Sequence, residues 1–344
     1  MNPGLVRLAF RRTLSPATGL IVLLALGLAC AVPGQPESLV PGEDAAVLLR
    51  DSRRLDVWST LLVFVGPVLL FGVARLGTPA RLRWIRTTPE PRWQATAALL
   101  LGTLLAGALV VLATAVAAEW AAGEGPPALG ALARHDSPGA LLTEARPEVT
   151  WEVKGLDGPA AVRQAVTVAP GSGPAVTALL EATRGGRTVQ SSARVSGRTW
   201  LRLDLPEGAA DDVQFSLQRA PGAGALLVLL PGSLEQLRPV ASERLGSMVL
   251  GVRVLLLLAA AFALTLGLAA HLRASLAAGL PLVATLAASG WRGAALLPGG
   301  DLRSAWEQLA TGLVPAWPSA AALLSTVALV GLGLALASRA SGPS

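Results

Sequence analysis

The chain has 344 residues, 52% of them hydrophobic and only 15% charged, with a mean hydropathy of +0.56, which is too apolar for a soluble chain of this length. Its net charge of +6 is spread among acids rather than gathered in a stripe, which speaks against nucleic acid as a partner. The single cysteine, Cys30, excludes an intramolecular disulfide and any multi-cysteine metal site.

Six apolar runs near 20 residues, the length that crosses a bilayer core, divide the chain at about 17–33, 58–74, 95–118, 247–270, 275–296 and 319–338. The short segments between them alternate in charge. Segments 1–12, 75–94, 271–274 and the tail hold 10 bases and 1 acid, whereas 34–57, 121–246 and 292–317 hold 17 bases and 20 acids. Cytoplasmic loops carry the basic excess, so both termini are expected in the cytoplasm of a multi-pass protein of the bacterial inner membrane, with 121–246 extracytoplasmic. The expected fold class is a membrane all-α six-helix bundle with an inserted extracytoplasmic all-β sandwich, jelly-roll or immunoglobulin-like. Its parts are 1–120, 121–246 and 247–344.

Along the chain, Asn2–Pro16 sets Leu5 and Leu8 against Arg7, Arg11 and Arg12, as in an amphipathic segment on the inner interface. A signal peptide ending near Ala31 is the alternative. Trp58, Trp120, Trp291 and Trp317 fall near outer span ends and Trp93 near an inner one, where an indole suits the headgroup level. Pro67 and Pro281 interrupt the second and fifth spans, as kinks or as hinges. The fifth, with Gly279, Gly290 and Gly293, is either complete or re-entrant. Glu119 closes the third span and Arg253 lies one to two turns into the fourth, a candidate intramembrane ion pair unless each reaches the headgroups separately.

After a Gly/Pro-rich linker, residues 123–127, the pattern changes to period two. Val149, Trp151 and Val153 alternate with polar residues, as do Leu201, Leu203 and Leu205, and Val213, Phe215 and Leu217. Turns are signalled at Pro170–Gly173, Gly185-Gly186 and Pro221-Gly222, and an apolar run covers Ala225–Leu230.

Enzyme signatures are missing. No phosphate loop, His-Glu-x-x-His or Gly-x-Ser-x-Gly motif occurs, so no catalytic, cofactor or metal residue is assigned. His135 and His271 lie on opposite sides of the expected membrane, and Asp211-Asp212 lacks the acidic Gly-rich loop of a calcium site.

One loop stands out: Gly77, Thr78, Pro79, Ala80, Arg81, Leu82, Arg83, Trp84, Ile85, Arg86, Thr87, Thr88, Pro89, Glu90, Pro91, Arg92 and Trp93. Leu82, Trp84 and Ile85 among four arginines form a one-to-two-turn amphipathic helix that either lies on anionic headgroups or docks into a partner's cleft. This Gly-Thr, the short basic helix and the Thr-Pro turn before the third span resemble the cytoplasmic loop of exporter-type ATP-binding-cassette (ABC) transporter permeases. Pro315 and Pro318 ahead of the terminal apolar helix are similar too. Arg75 stands where family members commonly carry acids, and Gly102-Thr103 where they often carry Gly-Lys.

The resemblance implies a permease subunit that is not itself catalytic. ATP and Mg are then bound by a separate cytosolic ATPase, which the loop from Thr78 to Pro89 couples to the spans. A second permease subunit completes a homo- or heterodimer, membrane lipids surround it, and a periplasmic partner is a further option. The rival expectation is a non-transporting membrane scaffold or sensor whose β domain binds a ligand or envelope protein.

Overall fold

The computed structural model describes residues 2–31, 45–79, 91–122, 129–156, 161–205, 212–221, 225–239, 245–290, 302, 305–306, 308–309 and 313–340. Apolar helices and a separate β-rich region divide them. The helices are α1 (Pro3–Thr13), α2 (Pro16–Ala31), α3 (Ala45–Thr60), α4 (Gly66–Leu76), α5 (Arg92–Ala122), α6 (Leu245–Ala269), α7 (Ala274–Gly290) and α8 (Ala320–Ala340).

Among the described residues, four helices are long and apolar enough to cross a membrane: Ser52–Leu76, Arg92–Ala122, Gly246–Ala269 and Ala320–Arg339. The pair α1 and α2, bent by 50°, makes a fifth if counted as one span. The expected fifth span corresponds to α7, whose apolar part, Ala274–Ala284, is short for a crossing. Residues 291–296 of the expected fifth span lie outside the described residues.

Local chemistry accounts for the helix ends. Asn2 caps α1 by accepting from the Gly4 amide at 2.9 Å, with Pro3 in the first turn, where its missing N–H costs nothing. Ser319 caps α8 in the same way, accepting from the Ala322 amide at 3.1 Å. α3 runs into α4 through a π-helical turn, Leu61–Val65, in which the Gly66 amide bonds the Leu61 carbonyl. That extra residue in the turn lies directly before Pro67, where the α-helical ladder loses a donor.

Helix packing relies on small residues, as expected where lipid removes the hydrophobic drive between spans. A Cβ on Gly102 of α5 would lie 2.3 Å from the Val6 carbonyl oxygen and 2.7 Å from the Ala9 Cβ, so α1 lies directly on the α5 backbone. The expected amphipathic segment is therefore a packed helix. Leu5, Ala9 and Thr13 are buried while Arg7, Arg11 and Arg12 are exposed. The apolar rows left exposed, such as Leu20, Leu24 and Leu28 of α2 and Leu105, Leu109, Leu112 and Val116 of α5, are the faces a bilayer would cover.

Among the described residues the β-rich region has ten strands: β1 (Leu129–His135), β2 (Ala140–Leu142), β3 (Glu148–Lys154), β4 (Ala161–Val168), β5 (Val176–Arg184), β6 (Arg187–Val195), β7 (Thr199–Asp204), β8 (Asp212–Arg219), β9 (Leu227–Pro239) and β10 (Leu313–Val314). One sheet runs β10-β1-β9-β4-β7 with β2 also on β9, and the other runs β3-β8-β5-β6. The expected strands appear as β3, β7, β8 and the start of β9, and Gly185 and Gly186, with φ of 55° and 80°, turn β5 into β6. Both sheets contribute to one apolar core, with Val162, Leu201, Leu227 and Leu234 from the first and Val149, Leu180, Phe215 and Leu217 from the second. Trp151 stacks on Phe215 across the β3–β8 pair at 5.5 Å.

The first sheet is joined to the helices at three adjacent strands. β1 follows α5, β9 precedes α6 and β10 precedes α8. The strand at 313–314 therefore joins the same sheet as the strands that follow α5 and precede α6. Leu129 and Gly130 pair in parallel with Leu313 and Val314.

Candidate functional site

The helix ends beside the β region carry most of the buried charge among the spans. Arg54 in α3, 2% exposed, donates to Glu119 Oε2 of α5 at 2.8 Å. The other carboxylate oxygen of Glu119 accepts from the Ser247 hydroxyl of α6. Three helices thus meet on one carboxylate, and its two oxygens are satisfied by different neighbours. A guanidinium in this setting persists only when paired, since its desolvation costs several kcal/mol.

Glu119 therefore pairs with Arg54, and the expected Glu119–Arg253 pair does not form. Arg253, 4% exposed, instead donates to the carbonyl oxygens of Ala316 at 2.6 Å and Trp317 at 3.3 Å. Those carbonyls lie between β10 and α8, where the chain has no helical or strand partner for them. Arg253 faces this segment because it lies two turns into α6, deeper than Ser247.

Leu302, Ala305 and Leu309 pack into the helix core, Gln308 accepts from the Ala316 amide at 3.1 Å, and Leu313 is buried beside β1. Of residues 302–317, the described ones thus touch the helix core at Leu302, Ala305 and Leu309 and the sheet at Leu313 and Val314.

Close contacts on the opposite helix ends give the distance between the two polar levels. Gly72 of α4 approaches Thr13, and Gly102 of α5 approaches α1. Seventeen positions separate Gly102 from Glu119, a rise of about 25 Å in an α-helix. That is close to the ~30 Å of a hydrocarbon core.

The tryptophans divide accordingly. Trp120 is 75% exposed, Trp317 62% and Trp93 63%, as interface anchors would be. Trp58 is not at an interface. It is fully buried, with its ring edge beside Gly251 and Val111, because Arg54 rather than Trp58 occupies the helix end.

Of the expected coupling loop, Gly77, Thr78 and Pro79 are described. Arg81, Leu82, Arg83, Trp84, Ile85, Arg86, Thr87, Thr88 and Pro89 lie outside the described residues. Gly77 has a steric reason to be glycine: a Cβ there would stand 2.7 Å from the Leu266 carbonyl oxygen and 2.8 Å from the Ala269 Cβ of α6. The Thr78 hydroxyl donates to the Arg75 carbonyl at 3.2 Å, ending α4 at the loop's entry.

The β region holds a second buried charge cluster. Arg134 of β1 and Arg163 of β4 flank Glu235 of β9 at 2.7 and 2.6 Å, and Arg163 stacks over Trp200 at 4.0 Å. Burial pushes the Glu235 carboxyl up, but the Arg134 hydrogen bond and the Arg163 charge outweigh it and hold it below its ordinary value. A depression of about 510 Å³ on the second sheet is lined by Thr150, Trp151, Glu152, Thr183, Asp212 and Gln214.

His135 meets Gln236 at 3.2 Å and His271 meets the Leu336 carbonyl at 3.3 Å. Among the described residues, no group of three or more His, Cys, Asp or Glu is placed to hold a metal. Neither Arg54 nor the sheet contact of Leu313 and Val314 was legible as a site in the sequence. The only signal was the density of Arg50, Arg53 and Arg54 just ahead of an apolar run.

No protein-family model matches the chain, and no curated protein does. Among solved structures, TmCBM61 in complex with beta-1,4-galactotriose matches at 13% identity and a TM-score of 0.22, over 27% of this chain. The match spans 62% of that structure's own length, and a likeness at this level carries no argument about fold or ligand.

Proposed function

We propose that the chain is the membrane-spanning permease subunit of an ABC transporter, working as a dimer with a separate cytosolic ATPase that binds ATP and Mg. In this reading residues 78–90 receive the ATPase, the termini are cytoplasmic, and the β region is an extracytoplasmic sandwich that gates, docks a partner or binds cargo. Alternating closure of the ATPase pair pushes on the loop and rocks the helices between inward and outward states.

The observation that supports it is the seat of Gly77. The entry to the loop, Gly77, is in direct backbone contact with the C-terminal end of α6, the most buried of the spans, and the N-terminal end of α6 follows β9 in the chain. A push on the loop thus has a route along α6 toward the β region.

The test is co-purification from native membranes. Trp84→Ala combined with Arg83→Ala is expected to release the ATPase subunit while membrane insertion persists. Truncating such anchors costs about 2 kcal/mol or more, roughly thirtyfold in affinity. Arg92→Ala, at the start of α5, serves as the control and should keep it. Retention of the ATPase by the double variant, or its absence from the wild type, would leave the scaffold reading as the better one.

A further inference from the structure

Charge is unevenly distributed along the bundle. Helices α1, α2, α4, α6, α7 and α8 contain no Asp or Glu, while Asp51 and Asp56 of α3 and Glu119 of α5 stand at helix ends beside the β region. The opposite end is basic: Arg7, Arg11 and Arg12 of α1 and Arg75 of α4 are all exposed. Among the described residues none of these four is paired with a carboxylate.

A close helix contact brings two of them into one place. A Cβ on Gly72 would lie 3.6 Å from the Thr13 Cα and 3.9 Å from the Arg12 carbonyl oxygen, so the last turn of α1 rests on α4. Arg75 stands one turn beyond Gly72, next to the end of the Ser52–Leu76 span. Arg12 and Arg75 thus occupy adjoining turns of two helices in contact, at the level where headgroups meet the apolar spans.

The Arg75 side chain does not extend past the end of the span. Its guanidinium lies over the Phe71 ring at 4.6 Å, back along α4 toward the middle of the membrane. Phe71 is 39% exposed and Phe64 64%. Spaced seven and four residues apart, Phe64, Phe71 and Arg75 lie on one stripe of the span that the bundle leaves uncovered. A basic side chain at a span end ordinarily reaches outward to water, so a guanidinium laid on a lipid-facing aromatic calls for an anion at the membrane surface.

We propose that Arg12 and Arg75 form a headgroup site for an anionic phospholipid, with its phosphate between the two guanidiniums and an acyl chain along Phe71 and Phe64. Guanidinium–phosphate contacts are charge-assisted, and the lipid supplies the counter-charge that the helices at this end lack. A lipid held there bridges α1 to α4 and fixes the N-terminal helix on the bundle. The inference rests only on the helices crossing a membrane, and it holds for a permease or a scaffold.

Native mass spectrometry of the full chain in detergent, titrated with phosphatidylglycerol and in parallel with phosphatidylcholine, tests it. The wild type should retain one phosphatidylglycerol in preference to phosphatidylcholine. Arg12→Gln and Arg75→Gln should each weaken that lipid roughly fivefold, and together roughly thirtyfold. Phe71→Ala, which keeps both charges, should weaken it as well. Arg273→Gln with Arg339→Gln removes the same charge from exposed positions at the same end of the bundle and should leave it within about twofold of the wild type.

Equal weakening by the two double variants would overturn the site, because a diffuse basic surface responds to charge lost anywhere. Equal retention of phosphatidylcholine by the wild type would overturn the anionic lipid as occupant. Displacement of phosphatidylglycerol by millimolar inorganic phosphate would also overturn it, in favour of a free anion.

Discussion

Arg54 is a guanidinium almost wholly removed from solvent, donating to a carboxylate that also accepts from Ser247. Glu119→Gln removes the charge of the carboxylate that Arg54 donates to and is expected to cost on the order of 3 kcal/mol. Glu148→Gln, an exposed change on β3, should stay within about 0.5 kcal/mol. Thermal melts in detergent compare the two, and equal losses would mean that the Arg54 pair contributes little.

Glu235 gives a pH signature. Its folded carboxyl titrates below the ordinary glutamate value of about 4.3. Its contribution is therefore complete above that value and is lost as pH falls through the depressed folded one. Acid melts of the wild type should show this loss, and Glu235→Gln should flatten it. A variant with the same acid slope would show that other carboxylates set the transition.

Sequence reasoning recognised Glu119 and Arg253 as residues needing explanation but paired them with each other. The reason is physical: Arg50, Asp51, Arg53, Arg54 and Asp56 make that stretch look like a solvated loop. Yet α3 is already helical from Ala45 and brings Arg54 against α5. Backbone carbonyls at 316 and 317 carry no side-chain signal at all, so Arg253's true partners were invisible.

Among the elements, the strands with strict alternation were readable, and β5 and β6 were not. Val176–Arg184 reads Val-Thr-Ala-Leu-Leu-Glu-Ala-Thr-Arg, rich in helix formers, and becomes a strand because both of its neighbours, β6 and β8, pair along it. β10 is too short for any periodicity. Phe215, fully buried under Trp151, ties β8 into the shared core, so Phe215→Ala should cost about 3–5 kcal/mol. The loss is read from the melt of the β signal by circular dichroism, and a change below about 1 kcal/mol would contradict the packing described for that core. For the helices, Gly102→Leu should dislodge α1, because even a Cβ meets the Val6 carbonyl at 2.3 Å. Protease cleavage near Arg11 and Arg12 would then rise, whereas an unchanged digest would mean that α1 packs elsewhere.

For the whole molecule, charge alternation and hydropathy made the apolar helices legible, because bilayer thickness constrains both length and flanking charge. Hydropathy alone could not separate a full crossing from the shorter α7, nor could it show that Leu313 and Val314 join the sheet. The central claim is that the β region and the basic loop 78–90 lie on opposite sides of a membrane. Single cysteines at Thr150, exposed on β3, and at Trp84, in a Cys30→Ala background, measure this with a membrane-impermeant maleimide on intact cells stripped of any outer barrier. The account predicts labelling of Thr150→Cys from outside and of Trp84→Cys only after the membrane is opened. Labelling of Trp84→Cys in intact cells would contradict it, and with it both the topology and the proposed seat of the ATPase.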